Sequence, residues 1–435
     1  MKKRQEACAA LIAALAWGIG EISPAQVPQG IFTELRNTGF EAGINTPFFE
    51  YQPVVSPDGK ELYFATGDAV DAERASSLQG GEDMWVATRE SLDEPFGDVK
   101  NLQHEDLAAP GIILNSWSTE NPGSISHDLH ELYFGSYRDG TADIFVAWRA
   151  EPGAPFERVI KLGTRVNAPD MNEGSPRISS DGLKLYYHRN VQSPQPDVFI
   201  GQSDVWIVTR ESTEDVFWDQ GGPDPVPLEV NSGIYDEFRP AISTDGLTLF
   251  FSDWVWNVPR RGDPDQGDIW VTTRSSVEDL FSEPVNLNIL WPGSQVNSDG
   301  LETQVSISAD WPAYGSKIYF ASNRPGTLAG EWDLDIWEAT WVPREDFLRG
   351  DANVDGTANL SDAIFVLASL FLGGETPSCD KAADTNDDGQ LDISDPVFLL
   401  GYLFLGSKAP SEPLASCGAD PTEDALSCES FARCP

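Results

Sequence analysis

The stretch Glu50-Tyr-Gln-Pro53-Val-Val-Ser56-Pro-Asp58-Gly59-Lys-Glu-Leu62-Tyr-Phe64 decides the fold, because the chain repeats it. Related copies begin at Glu120, Glu173, Glu237 and Glu302. Each is followed by an Asp-Ile-Trp-like triplet: Asp83-Met-Trp85, Asp143-Ile-Phe145, Asp204-Val-Trp206, Asp268-Ile-Trp270 and Asp335-Ile-Trp337. The triplets recur roughly every 60–67 residues, the mark of a repeat architecture. Apolar runs such as Glu61-Leu-Tyr-Phe64 and Ile269-Trp-Val-Thr272 are bounded by turns such as Ser243-Thr-Asp-Gly246, so each copy reads as short strands. No long helical period interrupts Gln26 to Val342. Four antiparallel strands per copy, repeated radially, predict a mainly β chain with a five-bladed β-propeller over residues 26–342. A solenoid fits less well, since its repeats are usually shorter. The stretch from Phe32 to Asn45 reads like the tail of a copy; Phe281-Ser-Glu-Pro-Val-Asn-Leu287 is a counterpart. It is expected to supply the outer strand of the last blade, beside Asp335 to Thr340. Ring closure of that kind removes exposed sheet edges.

The run Tyr319-Phe-Ala-Ser-Asn-Arg324-Pro-Gly, with Asp335-Ile-Trp337 after it, resembles TolB-type, WD-like propeller repeats. The resemblance spans about residues 40–341. It implies the propeller fold and a protein or peptide ligand, and it assigns no activity.

Within the repeats, the five glutamates Glu50, Glu120, Glu173, Glu237 and Glu302 have two readings. A ring of carboxylates about the axis could bind a cation or a basic ligand. Structurally, each would pair with an arginine or backbone N–H of the neighbouring blade, and repeat-wide residues generally define the repeat. Catalysis needs carboxylates with separated pKa values, and symmetry works against that. The aspartates Asp58, Asp128, Asp181, Asp245 and Asp310 read as tight-turn residues. The Trp and Phe of the triplets are expected between blades. His104, His127, His130 and His188 show no metal spacing, and His127-Asp128-Leu-His130 reads as a turn variant. No nucleophile elbow, P-loop or paired metal histidines occur.

Two twelve-residue loops follow the repeats. They are Asp351-Ala-Asn353-Val-Asp355-Gly356-Thr-Ala-Asn359-Leu-Ser-Asp362 and Asp384-Thr-Asn386-Asp-Asp388-Gly389-Gln-Leu-Asp392-Ile-Ser-Asp395. Oxygen side chains stand at positions 1, 3, 5, 9 and 12, with glycine at 6 for the sharp turn, the pattern a hard cation such as Ca²⁺ requires. The segments after the loops repeat too, as short helices ending at Gly373 and Gly406. Ile364, Leu367, Ala368 and Phe371 form one apolar stripe; Val397, Leu400, Gly401 and Phe404 repeat it. Phe365, Leu370 and Leu372 add apolar surface beyond the stripe, some of it suited to a partner.

This duplicated loop-helix unit, about Phe347 to Gly406, resembles type I dockerins, Ca²⁺-dependent modules that insert into cohesins. The resemblance implies a small α-helical module over 343–408 holding two Ca²⁺ ions. Its ligands would be Asp351, Asn353, Asp355, Asn359 and Asp362, then Asp384, Asn386, Asp388, Asp392 and Asp395. Thr357 and Gln390 would add backbone carbonyls. The partner-choosing positions carry Leu360-Ser361 and Ile393-Ser394, which differ from the Ser-Thr pair of the best-known examples. The implied partner is a cohesin-like protein or another extracellular component.

The N-terminus, with Lys2, Lys3 and Arg4 before an apolar run and Ser23-Pro24-Ala25, reads as a signal peptide over 1–25. No later run is long enough for a membrane span. The remaining cysteines, Cys379, Cys417, Cys428 and Cys434, suggest two disulfides in an oxidising compartment and a Cys-containing tail over 409–435. Three pairings are open, and a zinc site is the competitor. The formal net charge of −42 disfavours nucleic acid and anionic membranes, while 14 Trp, 22 Phe and 10 Tyr argue against disorder. The whole reads as an exported, non-catalytic binding or scaffold protein, secreted or periplasmic. The alternative is a carbohydrate-active hydrolase acting on a glycan through channel carboxylates. Dockerin-bearing chains favour that alternative only by association.

Overall fold

The computed structural model describes residues 27–39, 43–66, 81–191, 203–216, 218, 225–232, 236–254, 267–328, 333–344, 346–422, 426, 428, 431 and 434. The expected signal peptide lies outside them. Two compact units are present, one built on residues 31–342, the other on 28–30 with 343–435.

The first unit contains five four-stranded sheets. Blade one is β2 (Glu50–Val55), β3 (Glu61–Thr66), β4 (Asp83–Thr88) and β5 (Gly97–Asn101). Blade two is β6 (Glu120–Ile125), β7 (Glu131–Ser136), β8 (Asp143–Trp148) and β9 (Arg158–Lys161). Blade three is β10 (Met171–Ile178), β11 (Lys184–Val191), β12 (Ser203–Thr209) and β13 (Val226–Pro227). Blade four is β14 (Asp236–Ile242), β15 (Thr248–Trp254), β16 (Ile269–Thr273) and β17 (Val285–Asn286), followed by the short helix α1 (Leu287–Leu290). Blade five joins β18 (Glu302–Ile307), β19 (Lys317–Ser322) and β20 (Asp335–Pro343) to β1 (Gly30–Asn37), so the N-terminal strand closes the ring as the repeat tail predicts.

The apolar core lies between blades rather than within them. Leu132 and Phe134 of blade two meet Val54, Met84 and Val86 of blade one, and Tyr319 and Ile336 of blade five meet Phe64 and Trp85 of blade one. A tryptophan cluster, Trp291, Trp311 and Trp341, encloses Phe32 with ring centroids 4.9–5.9 Å apart. Edge-to-face contacts of this kind add to the burial of large rings.

The Ser-x-Asp-Gly turns close the outward hairpins. Ser56 Oγ donates to Asp58 Oδ1 at 2.6 Å, and Asp58 accepts from the Lys60 N–H. Gly59 sits at φ +71°, where a side chain is strained. In blade two Leu129 takes that left-handed position, confirming the His127 to His130 segment as a turn variant. An arginine leaving the third strand staples each such turn. Arg149 donates to Leu129 O and to both oxygens of Glu61 in blade one, and Arg210 repeats this toward Gly182 O and Glu131 of blade two.

The second unit holds α2 (Leu360–Leu372), α3 (Asp380–Ala383) and α4 (Ser394–Leu405), with α2 packed on α4. Asn359 and Asp362 form a reciprocal cap at the start of α2, and Gly373 and Gly406 end the longer helices in the left-handed region. The apolar stripe predicted from helical period turns outward. Ile364 and Phe371 are 57% and 62% exposed, and Val397 and Phe404 match them at 59% and 65%. The buried faces are instead Ala363 and Val366 on α2 and Pro396 and Leu399 on α4. Periodicity finds an apolar face but cannot choose between two when both sides of a helix are apolar.

Disulfides join Cys379 to Cys428 and Cys417 to Cys434, which resolves the three pairings. Described residues of the tail, Gly418, Cys428 and Phe431 among them, pack on the module. Arg349, fully buried, donates to Asp384 O and reaches Asp387 and Asp420, while Phe347 and Gly418 exchange backbone hydrogen bonds.

Candidate functional site

The repeat glutamates do not line a channel. All five are fully buried at the start of the innermost strands. Glu120 accepts from Ser116 N–H and Oγ, four residues upstream, and from Ser136 Oγ and Arg138 of its own blade. Glu302 repeats this with Ser298, Ser322 and Arg324. The side-chain partners of Glu120, Glu173 and Glu302 therefore come from the preceding loop and the same sheet, not from the neighbouring blade as the structural reading expects. Burial pushes the Glu173 carboxyl up to about 7, while Arg189 at 2.7 Å pulls the other way.

The axis is lined by residues just after each glutamate. Every inner strand carries a register shift there, between Tyr51 and Val54, Pro122 and Ser124, Gly174 and Arg177, Phe238 and Ala241, and Thr303 and Ser306. A bulge inserts a residue that re-aims its side chain. Four bulge residues, Gln52, Ser175, Arg239 and Gln304, have φ between +48° and +62°. Non-glycine residues in that region cost energy and concentrate at functional sites. They meet across blades: Gln52 N–H donates to Gln304 Oε1 at 2.9 Å, and Arg239 Nη1 to Thr303 Oγ1 at 2.9 Å.

Around this ring, Tyr51 donates its hydroxyl to Glu82 and lies 2.6 Å from Asn121 Oδ1. Burial, then Glu82, hold the Tyr51 phenol well above its ordinary range. Arg239 acts on Tyr51, Tyr137 and Glu82, and burial lowers it to about 10. His188 lies over Gly174, where a Cβ would come within 2.7 Å of its ring. Burial, with Arg239 nearby, drives this imidazole down to about 3, so it is neutral at ordinary pH. The result is one guanidinium, one carboxylate, three amides, hydroxyls and a neutral imidazole, drawn from all parts of the ring. Such a set hydrogen-bonds a polar ligand and fixes its orientation. The second strands end and the third strands begin at this same end of the blades, where Thr66 faces Asp83 and Ser136 faces Asp143.

The triplet aromatics Trp85, Phe145, Trp270 and Trp337 are buried, as expected for packing residues. None of the ring residues Gln52, Ser175, Arg239 and Gln304 is singled out by the repeat, because they occupy the position where the copies differ. That difference against an otherwise constant frame is the signal that would have found them.

In the second unit the two loops adopt the same conformation. Asp351 accepts N–H bonds from Asp355 and Gly356, and Asp384 from Asp387, Asp388 and Gly389. Asp362 accepts from Asn353 and Asn359, and Asp395 from Asn386 and Asp392. These four carboxylates are fully buried, whereas Asp355, Thr357, Asp388, Gln390 and Asp392 are exposed. Asn353 and Asn386 donate to Asp355 and Asp388, and the Asn359 amide turns to Thr357. Burial raises Asp362 to about 6, with Asp351 and Asp355 adding to it; burial and Asp384 raise Asp395 to about 7. Among the described residues, no three His, Cys, Asp or Glu side chains form a metal-holding group. No described helix is long and apolar enough to cross a membrane.

No family model matches this chain, and no curated protein does. Solved structures do. An α-L-arabinofuranosidase from Podospora anserina, in complex with cellotriose, is 12% identical over 73% of this chain and 98% of its own, with a TM-score of 0.42. A family GH43_1 enzyme from Xanthomonas citri, complexed with xylose, is 14% identical over 71% and 90%, with a TM-score of 0.42. TolB from Acinetobacter baumannii is 10% identical over 76% and 67%, with a TM-score of 0.36. At such identity and score these likenesses assign neither activity nor site, and the five-bladed architecture rests on the strand pairing itself.

Proposed function

We propose that this chain is an exported, non-catalytic binding protein. Its propeller captures a polar glycan or peptide at the bulge-lined mouth, and its C-terminal module holds two Ca²⁺ ions and attaches to an extracellular protein. The observation that carries the reading is the set of strained bulge residues, Gln52, Ser175, Arg239 and Gln304, which place three different side-chain types at one repeat position on a frame that is otherwise repeated. A glycan and peptide array with the exported protein tests it. Binding that vanishes in Arg239→Met while the fold persists is the expected result; equal binding by the variant would overturn it.

The module reading is supported by donor chemistry. Two buried carboxylates lie together in the second loop, where burial first, and then Asp384 through hydrogen bonding and charge repulsion, raise Asp395. A divalent cation relieves that repulsion. The remaining donors of that loop, the Asp388 and Asp392 carboxylates, the Asn386 amide oxygen and the Gln390 carbonyl, are hard oxygens of the kind Ca²⁺ accepts. The outward faces of α2 and α4, with Ile364, Phe371, Val397 and Phe404 exposed, suit an apolar partner surface.

A second reading, hydrolysis of a polysaccharide, is favoured by one observation: Glu82 presents a carboxylate to the mouth beside Tyr51. Release of reducing sugar that is lost in Glu82→Gln would establish that reading in place of simple binding.

A further inference from the structure

At the opposite end of the inner strands lies a second axial site. The residues one step past the bulge are Val54, Ser124, Arg177, Ala241 and Ser306, one from each blade, and together they line a cavity of about 80 Å³. Arg177 is the charged member and is 8% exposed. Its guanidinium spans the axis: Nε donates to Pro240 O at 3.1 Å, and Nη2 to Val305 O at 3.0 Å and Pro53 O at 3.4 Å. These are carbonyls of blades four, five and one, so a single side chain from blade three plugs the channel.

The plug is electrostatically incomplete. Its partners are neutral carbonyls, and among the described residues no carboxylate pairs with it and no hydrogen bond reaches Nη1. Burial lowers its pKa to about 9 with no charged neighbour contributing. A buried cation without a counter-charge is costly, and cations in proteins are normally paired or solvated. The cavity beside it exceeds the volume one water needs. Its wall includes the Ser306 hydroxyl, which already accepts from Val55 N–H and so keeps its own proton to donate.

We propose that this cavity is an anion site, in which Arg177 Nη1 and the Ser306 hydroxyl hold a small anion, a free inorganic ion or a carboxylate group, distinct from the ligand mouth. The chain carries a large negative charge, so capture depends on this local cation rather than on the overall field.

Thermal melting of the full chain is measured at constant ionic strength, replacing a bulky sulfonate with bromide in one arm and acetate in the other. A saturable rise in melting temperature is expected in at least one arm. Bromide alone would identify an inorganic ion, and acetate would identify a carboxylate ligand. Arg177→Met should abolish the rise. Because that variant removes the plug and can misfold, Ala309→Phe serves beside it: the new ring fills the cavity, and Ala309 contributes only its backbone carbonyl, to Thr244. It too should lose the rise. Crystals soaked in bromide should give an anomalous peak beside Nη1. An equal rise in all three proteins, no rise in either arm, or bromide peaks elsewhere with none beside Arg177, would overturn the proposal.

Discussion

Asn45 clamps Ile336 across the ring closure: its amide nitrogen donates to Ile336 O at 2.7 Å, and its amide oxygen accepts the Ile336 N–H at 2.8 Å. The same two-bond clamp joins Asn115 to Met84, Asn167 to Ile144, Asn231 to Val205 and Asn297 to Ile269. Each asparagine follows the outer strand and ties down the third strand of the same sheet. The closure joint is therefore chemically identical to the joints inside blades one to four, although its two halves lie at opposite ends of the unit.

We expect Asn45→Ala to destabilise the propeller by about 1–3 kcal/mol, because it leaves the buried Ile336 N–H without its acceptor, while Ile336 O keeps the Thr38 N–H and hydroxyl. Asn115→Ala removes an equivalent clamp inside a blade held at both ends by chain connections. Urea unfolding of both variants checks the comparison. The Asn45 variant should also show faster amide exchange in β1, since no hairpin connection joins that strand to β20, its neighbour in the sheet. Equal exchange in β1 and β5 would contradict the account.

What the sequence makes legible follows from how each residue is used. The glutamate, the Ser-x-Asp turn and the Asp-Ile-Trp-like triplet recur from blade to blade, so repetition exposes them and predicts the blade number and closing strand. The asparagine clamp is equally regular, yet it acts on backbone that carries no sequence mark. Gln52, Ser175, Arg239 and Gln304 escape for the opposite reason: strand alternation does not anticipate a bulge, and comparison of copies treats differing positions as noise. Glu50, Glu120 and Glu302 look like a site because acids are conspicuous, but they satisfy serine or threonine groups in the preceding loop.

Arg149 and Glu61 offer a second test. Arg149 is buried and its partner nearly so, with Nη2 and Oε2 2.9 Å apart between blades two and one. Removing one member of such a pair strands the other, so Arg149→Met should cost about 3–5 kcal/mol. Replacing both, Arg149→Met with Glu61→Leu, should cost less than Arg149→Met alone. A double-mutant cycle by urea unfolding measures the difference, and simple additivity would show the pair to be unimportant.

Glu173 should give the propeller a pH slope. Its carboxyl sits at about 7 in the fold, against about 4.3 in an unfolded chain, so the folded state holds a proton that the unfolded state gives up. This contribution is fully present below the unfolded value and is lost as pH rises through 7. The change is on the order of 1–3 kcal/mol, tempered by the Arg189 pairing. Glu173→Gln should flatten the corresponding part of the stability profile between pH 4 and 8. Parallel profiles for the two proteins would show that Glu173 does not carry the slope.

The Ca²⁺ reading makes the most exacting demand on the second unit. Binding free energy adds to folding free energy by mass action, so chelator should reduce helix signal from α2 and α4 while the β-signal of the propeller persists. Calorimetry on the full chain should find two sites in the parent and one each in Asp362→Ala and Asp395→Ala, because position 12 normally closes the loop with both carboxylate oxygens. Asp362 also caps α2 by accepting the Asn359 N–H, so its loss should cost about 1 kcal/mol of helix stability even in chelator. Asp395 also accepts a loop N–H, from Asp392, so both variants need the chelator baseline. Comparing the variants with and without the ion separates lost capping from lost ligation. Two undiminished sites in both variants would place the ions elsewhere, and no binding heat in the parent would end the Ca²⁺ reading.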